Sequence, residues 1–122
     1  MEKVKKTLIL GASTNPSRYS FRAAYALTNH NHEIVPVGIK KGELAGKTIQ
    51  NNLEISEGID TITLYLSPKN QVGWYDFILN TQPKRIIFNP GTENEELRSL
   101  AENQNIETVY GCTLVILSVG NY

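Results

Sequence analysis

The sequence predicts an α/β domain, a parallel sheet wound on both faces by helices, and three observations carry that prediction. Short β-branched or apolar runs recur at Thr7–Leu10, Ile34–Val37, Thr61–Leu66, Arg85–Phe88 and Thr108–Tyr110. These runs are continuous rather than alternating, as in strands buried on both faces. Helical patterns fill most of the gaps, so strand and helix alternate at the spacing of right-handed crossovers. The chain has 122 residues, the size of a single domain spanning 1–122.

The elements follow in order. After the first strand, Ser20–Asn29 sets Phe21, Ala24, Tyr25 and Leu27 on one side of a helix, with Ser20 as its N-cap. Beyond the second strand, Lys41–Ile59 is less regular, with one short helix expected around Leu53-Glu54-Ile55. Gln71–Asn80 spaces Val72, Tyr75, Ile78 and Leu79 helically, and Pro83 stops it. Thr92–Asn105 opens with Thr92 and Glu95 at the spacing of a capping box and turns Leu97, Leu100 and Ala101 inward. The tail Thr113–Val119 reads equally as strand or helix. The sum is a single Rossmann-like, doubly wound domain with a five-stranded parallel sheet, expected in the order 3-2-1-4-5.

Composition excludes several classes of function. Twelve Lys and Arg balance twelve Asp and Glu, so the formal net charge is zero, and no electrostatic footprint for nucleic acid or an anionic membrane exists. The longest nearly apolar stretch, Val109–Val119, is broken by Gly, Thr and Ser and is too short to span a bilayer. Lys3-Val4-Lys5-Lys6 before Thr7–Leu10 mimics the start of a signal peptide, but Asn15-Pro16-Ser17-Arg18 ends the apolar run too soon. One Cys forms no internal disulfide, and with two His it makes no structural metal site. A reducing cytoplasm is the expected location.

In a sheet of this kind ligands bind beyond the carboxyl ends of the strands, so the first strand–helix turn is the place to look. It reads Gly11-Ala12-Ser13-Thr14-Asn15-Pro16-Ser17-Arg18-Tyr19-Ser20. Gly11 permits a sharp turn, and the helix that follows offers unpaired N–H groups to an anion. Ser13, Thr14, Asn15, Ser17 and Ser20 add side-chain donors, and Arg18 and Arg22 add charge. A G-x-G-x-x-G fingerprint would need glycines where Ser13 and Pro16 stand, and no Gly-Lys-[Ser/Thr] closes a P-loop. The second strand ends in Val37-Gly38-Ile39-Lys40-Lys41, with two cations where an NAD site places a carboxylate. A cation there suits a ligand with an extra phosphate on the adenosine ribose, a description that covers NADP and coenzyme A alike.

The chain resembles the small CoA-binding-domain proteins, stand-alone relatives of the CoA-binding domain in the succinyl-CoA synthetase α subunit. The resemblance rests on Leu8-Ile9-Leu10-Gly11-Ala12-Ser13-Thr14-Asn15-Pro16, Ser20-Phe21-Arg22 and Ile34 through Lys40. It continues with Leu44-Ala45-Gly46-Lys47-Thr48, Asn89-Pro90-Gly91 and Cys112. It implies a protein that binds coenzyme A or an acyl-CoA without catalysis of its own. Gly11, Ala12, Ser13, Asn15, Arg18, Ser20 and Arg22 would form the phosphate side, and Lys40 would meet the adenosine end. By the same implication Ser67, Pro68, Pro90 and Gly91 line the pantetheine path. Two departures stand out: Gly38-Ile39 replaces the Asn-Pro often seen before the lysine, and Asn89-Pro90-Gly91 replaces an aromatic or Gln-containing turn.

The remaining reactive side chains have structural readings. Cys112 reads as a buried thiol, with a CoA mixed disulfide or acyl acceptance as its functional alternative. His30 and His32 fall at the amino-end edge of the sheet, where a helix C-terminus accounts for a histidine. Glu93, Glu95 and Glu96 complement a helix dipole, Asp60 caps a turn, and Trp74-Tyr75 serve packing or a subunit contact such as a homodimer. No complete catalytic constellation emerges. The rival readings are an NADP-dependent oxidoreductase and an interaction module that keeps the fold without a ligand.

Overall fold

The computed structural model describes residues 3–122. The main sheet is built from β1 (Thr7–Leu10), β2 (Ile34–Val37), β5 (Thr61–Leu64), β6 (Arg85–Phe88) and β7 (Glu107–Tyr110), and every neighbouring pair is parallel. Helix α1 (Tyr19–Asn29) follows β1, and α5 (Thr113–Ser118) closes the chain. Between β5 and β6 lie α2 (Pro68–Gln71), a 3-10 turn at Val72–Trp74 and α3 (Tyr75–Thr81); α4 (Glu95–Glu102) joins β6 to β7. A small antiparallel hairpin, β3 (Glu43–Leu44) and β4 (Lys47–Thr48), turns through Ala45 and Gly46, both at positive φ.

The continuous apolar runs are explained by the two faces. Leu8, Leu10, Ile62, Leu64, Ile86 and Phe88 meet Phe77, Ile78, Leu97 and Ala101 of α3 and α4. Ile9 and Ile87, one residue out of phase, meet Ala24, Leu27 and Leu117 of α1 and α5. Successive side chains point to opposite faces and both faces are covered, so no solvent-facing phase remains in β1, β5 and β6, where Thr7, Thr61, Thr63 and Arg85 are buried as well.

The fold class is the expected one, while the strand order departs from 3-2-1-4-5. The five long strands run β2-β1-β5-β6-β7, so the third lies beside the first on its inner side and not outside the second. The reason is at β2. Its outer edge is closed by a single bridge between Val37 and Gln50, in which Gln50 N donates to Pro36 O at 2.9 Å and Gly38 N to Gln50 O at 3.0 Å. Pro36 has no N–H to give a full strand on that side, which confines β2 to the edge. The segment between β2 and β5 forms the hairpin and a coil, with no helix at Leu53-Glu54-Ile55.

Three further differences are local. The helix expected over Gln71–Asn80 is divided by the 3-10 turn at Val72–Trp74. The cap of α4 is Asn94, whose side-chain oxygen accepts from Leu97 N, and Thr92 instead donates to Asn89 O at 2.7 Å. The open question of the tail resolves as helix α5. No helix among the described residues is long and apolar enough to cross a membrane.

Candidate functional site

With this strand order the crossovers reverse direction between β1 and β5, and a crevice opens above the carboxyl ends of those two strands. A groove of about 420 Å³ occupies it. One wall is the loop after β1, with Gly11, Ala12, Ser13, Asn15, Arg18 and Ser20. The turn after β2 contributes Gly38, Ile39 and Lys40, and the ends of β5 and β6 contribute Ser67, Pro90 and Gly91. Ten of the twelve residues singled out in the sequence thus share one cavity. Arg22 and Pro68 do not line it: Arg22 is exposed with its guanidinium 5.5 Å from the Tyr19 ring centroid, and Pro68 is the exposed first residue of α2.

The loop after β1 is held by its own bonds. Gly11 N and Ala12 N both donate to Val37 O, at 2.9 and 3.0 Å, which ties the loop to the end of β2. Gly11 sits at φ +96°, a conformation only glycine adopts without strain. Asn15 N donates to Ser13 Oγ at 3.0 Å, and Asn15 Oδ1 accepts from Ser17 N at 3.0 Å and Ser17 Oγ at 2.8 Å. The Asn15 side-chain oxygen is therefore used inside the loop, and its amide NH2 is the group left for a ligand. Helix α1 opens at Arg18 with no side-chain cap, so its first-turn amides remain for an external acceptor. Among the described residues, Arg18 and Lys40 line the groove and no carboxylate does, a local positive bias on a chain of zero net charge.

The turn after β2 is positioned by a residue that no sequence motif singles out. Asn51 Nδ2 donates to Gly38 O at 2.8 Å and to Lys40 O at 2.9 Å, fixing the backbone that carries Lys40. Gly38 is needed for a separate reason. A Cβ there would stand 3.0 Å from Ala12 O and 3.3 Å from Ala12 N, backbone that is itself bonded to β2. Gly38→Ala is expected to cost about 1–3 kcal/mol, the usual penalty of overpacking, seen as a lower urea midpoint at unchanged slope.

Comparison with known proteins identifies the family. Residues 5–118 match the family of the CoA binding domain. The chain belongs to it. A crystal structure of an uncharacterized protein is similar at 55% identity and TM-score 0.98, over 99% of this chain and 100% of its own. A conserved hypothetical protein from Pyrococcus furiosus is similar at 26% identity and TM-score 0.76, over 86% of this chain and 91% of its own. A hypothetical protein from Pyrococcus horikoshii OT3, 24% identical with TM-score 0.83 over 92% of this chain and 80% of its own, shares the fold. No curated protein matches the chain.

In this CoA-binding domain the aromatic and apolar walls of the groove come from residues that sequence reasoning assigns to packing or passes over. Tyr19, Tyr65, Leu66 and Trp74 all line it, and Trp74 also packs edge-on against Phe77 with centroids 5.5 Å apart. At the end of β6 the Gly91 amide is already occupied, donating to Glu93 Oε1 at 2.8 Å. Glu93 therefore precedes α4 and serves the turn, while Glu95 and Glu96 lie in the first turn of the helix. His30 and His32 lie outside the groove; His30 Nδ1 is 2.8 Å from Ala26 O, and His32 Nδ1 accepts from Lys5 N at 2.9 Å.

Beneath the groove the strand ends are joined by a buried polar network. Asn89 Nδ2 donates to Thr63 Oγ1 at 2.7 Å and Leu64 O at 2.8 Å, and Asn89 Oδ1 accepts from Thr113 N at 2.9 Å. The Thr63 and Thr113 hydroxyls are 2.8 Å apart. Burial pushes the Tyr65 hydroxyl up to about 12 from its usual 10.0, against the opposing pull of hydrogen bonds with Thr63 and Thr113. A tyrosine that ionises later when folded stabilises the fold fully below pH 10 and loses that contribution as the pH climbs towards 12. Tyr65→Phe is expected to flatten the alkaline fall in the denaturation midpoint over that interval, and an unchanged slope would remove Tyr65 as its source.

Proposed function

We propose that the groove binds coenzyme A or an acyl-CoA as a recognition site, with no chemistry performed on the ligand. The observation that supports this best is the convergence of an uncapped helix N-terminus, Arg18 and Lys40 on one groove in a CoA-binding-domain chain. The pyrophosphate belongs on the first-turn amides of α1, where backbone dipoles and Arg18 favour an anion. Lys40 is the partner for the ribose 3′-phosphate, its backbone aimed by Asn51. The pantetheine arm runs past Tyr65, Leu66 and Ser67 towards Pro90. Coenzyme A and NADP both carry a third phosphate on the adenosine ribose, but on different hydroxyls, so ligand competition separates them.

Titration calorimetry with CoA, dephospho-CoA, NADPH and ATP tests the reading. The expected order places CoA first, with dephospho-CoA about tenfold weaker for the loss of one charge-assisted contact. Tightest binding by NADPH would favour the oxidoreductase. Failure of all four to bind would favour an interaction module that has kept only the fold.

A further inference from the structure

A second cavity of about 190 Å³ lies beside the groove, walled by Tyr19, Tyr65, Asn89, Pro90, Cys112 and Leu114. Tyr19, Tyr65 and Pro90 wall both spaces, so the two cavities meet where the pantetheine arm is expected to end. Its chemistry differs from that of the groove. The lining contains no Lys, Arg, His, Asp or Glu. Its principal polar groups are already satisfied within the protein. Both Asn89 amide hydrogens go to Thr63 Oγ1 and Leu64 O, and its oxygen takes the Thr113 amide.

A charged group entering this space would lose its water and meet no counter-charge, a strongly unfavourable transfer. An alkyl chain would exchange water for the ring faces of two tyrosines, the Leu114 side chain, a proline ring and a thiol. At about 30 Å³ for each water-sized group, the volume holds roughly six such groups, enough for a carbonyl and about four chain carbons.

We propose that this cavity is the acyl subsite of the groove and selects thioesters of short, uncharged carboxylic acids over those of dicarboxylic acids. The subsite presupposes the coenzyme A reading of the groove. Selection here is by desolvation: the cavity attracts by apolar contact and rejects by offering a second carboxylate nothing to pair with. Cys112 enters as a small apolar wall residue, and no covalent step is invoked.

Calorimetry under reducing conditions with CoA, butyryl-CoA, succinyl-CoA and octanoyl-CoA tests the proposal. Butyryl-CoA is expected to bind about tenfold to sixtyfold tighter than CoA, since each of its three chain carbons adds up to about fourfold when buried. Succinyl-CoA is expected to bind no tighter than CoA, and octanoyl-CoA no tighter than butyryl-CoA because the excess chain remains outside. Cys112→Phe and Leu114→Phe each fill the cavity, so the ratio of butyryl-CoA to CoA affinity should fall towards one in both. Two independent substitutions keep the test open if one of them fails to fold. Equal affinity for CoA and butyryl-CoA in the wild-type protein, or succinyl-CoA binding as tightly as butyryl-CoA, would overturn the subsite and leave the coenzyme A reading intact. Absence of binding by every ligand would overturn both.

Discussion

Replacing Lys40 by glutamate is expected to weaken coenzyme A binding by about thirtyfold to a hundredfold and to abolish the preference for CoA over dephospho-CoA. Loss of an ammonium–phosphate contact at an exposed position is worth about tenfold, at the low end for a hydrogen bond to a charged group because solvent and salt screen it. Reversal of the charge adds a repulsion of similar size. The loss should fall on the ribose phosphate alone, so dephospho-CoA affinity should change by about threefold at most. For the same reason the gap between wild type and Lys40→Glu should narrow as salt is raised. Equal losses for both ligands would show that Lys40 acts on the pyrophosphate or on the shape of the loop. Unchanged CoA affinity would remove Lys40 from the site.

The position of this lysine was legible in the sequence because it depends on local chemistry. A glycine after an apolar run, hydroxyl-rich residues and a helix pattern mark the loop after β1 by themselves, and the cation after the second strand lines the same groove. The parts that escaped depend on which strands become neighbours. Tyr65 and Trp74 become groove walls only because β5 lies beside β1, and no spacing rule connects them to Gly11. The strand order itself had a signal in Pro36, which deprives β2 of a donor and suits it to a sheet edge. Thr92 and Glu95 have the spacing of a capping box, yet Asn94 caps α4 because the Thr92 hydroxyl is drawn back to Asn89 O. Asn51 was invisible for a related reason: its side chain reaches back 11 and 13 residues to carbonyls that converge only when the hairpin folds.

Asn89→Ala is expected to lower stability by about 3–5 kcal/mol, a larger loss than Gly38→Ala should produce. Asn89 is 3% exposed and makes three bonds to two elements: to the side chain of Thr63 in β5, to the carbonyl of Leu64 at its end, and from the first amide of α5. Alanine removes all three partners at once and leaves the Thr113 amide buried beside a cavity the size of an amide group. Each orphaned buried group costs about 1–3 kcal/mol, and the marginal stability of a small domain is only about 5–15 kcal/mol. At roughly 3–6 °C per kcal/mol for a domain of this length, thermal unfolding should move down by about 10–20 °C. Thr63→Val removes one hydroxyl of the same network and should cost about 1 kcal/mol by itself. The double variant should lose less than the sum of the two, because they share the 2.7 Å bond between Asn89 Nδ2 and Thr63 Oγ1. The network also lies directly beneath Pro90, so Asn89→Ala should weaken CoA binding even at temperatures where the variant remains folded. A thermal shift below about 3 °C would show that water replaces the lost partners, and that the strand ends are held by the packing of Phe88 and Leu64 rather than by Asn89.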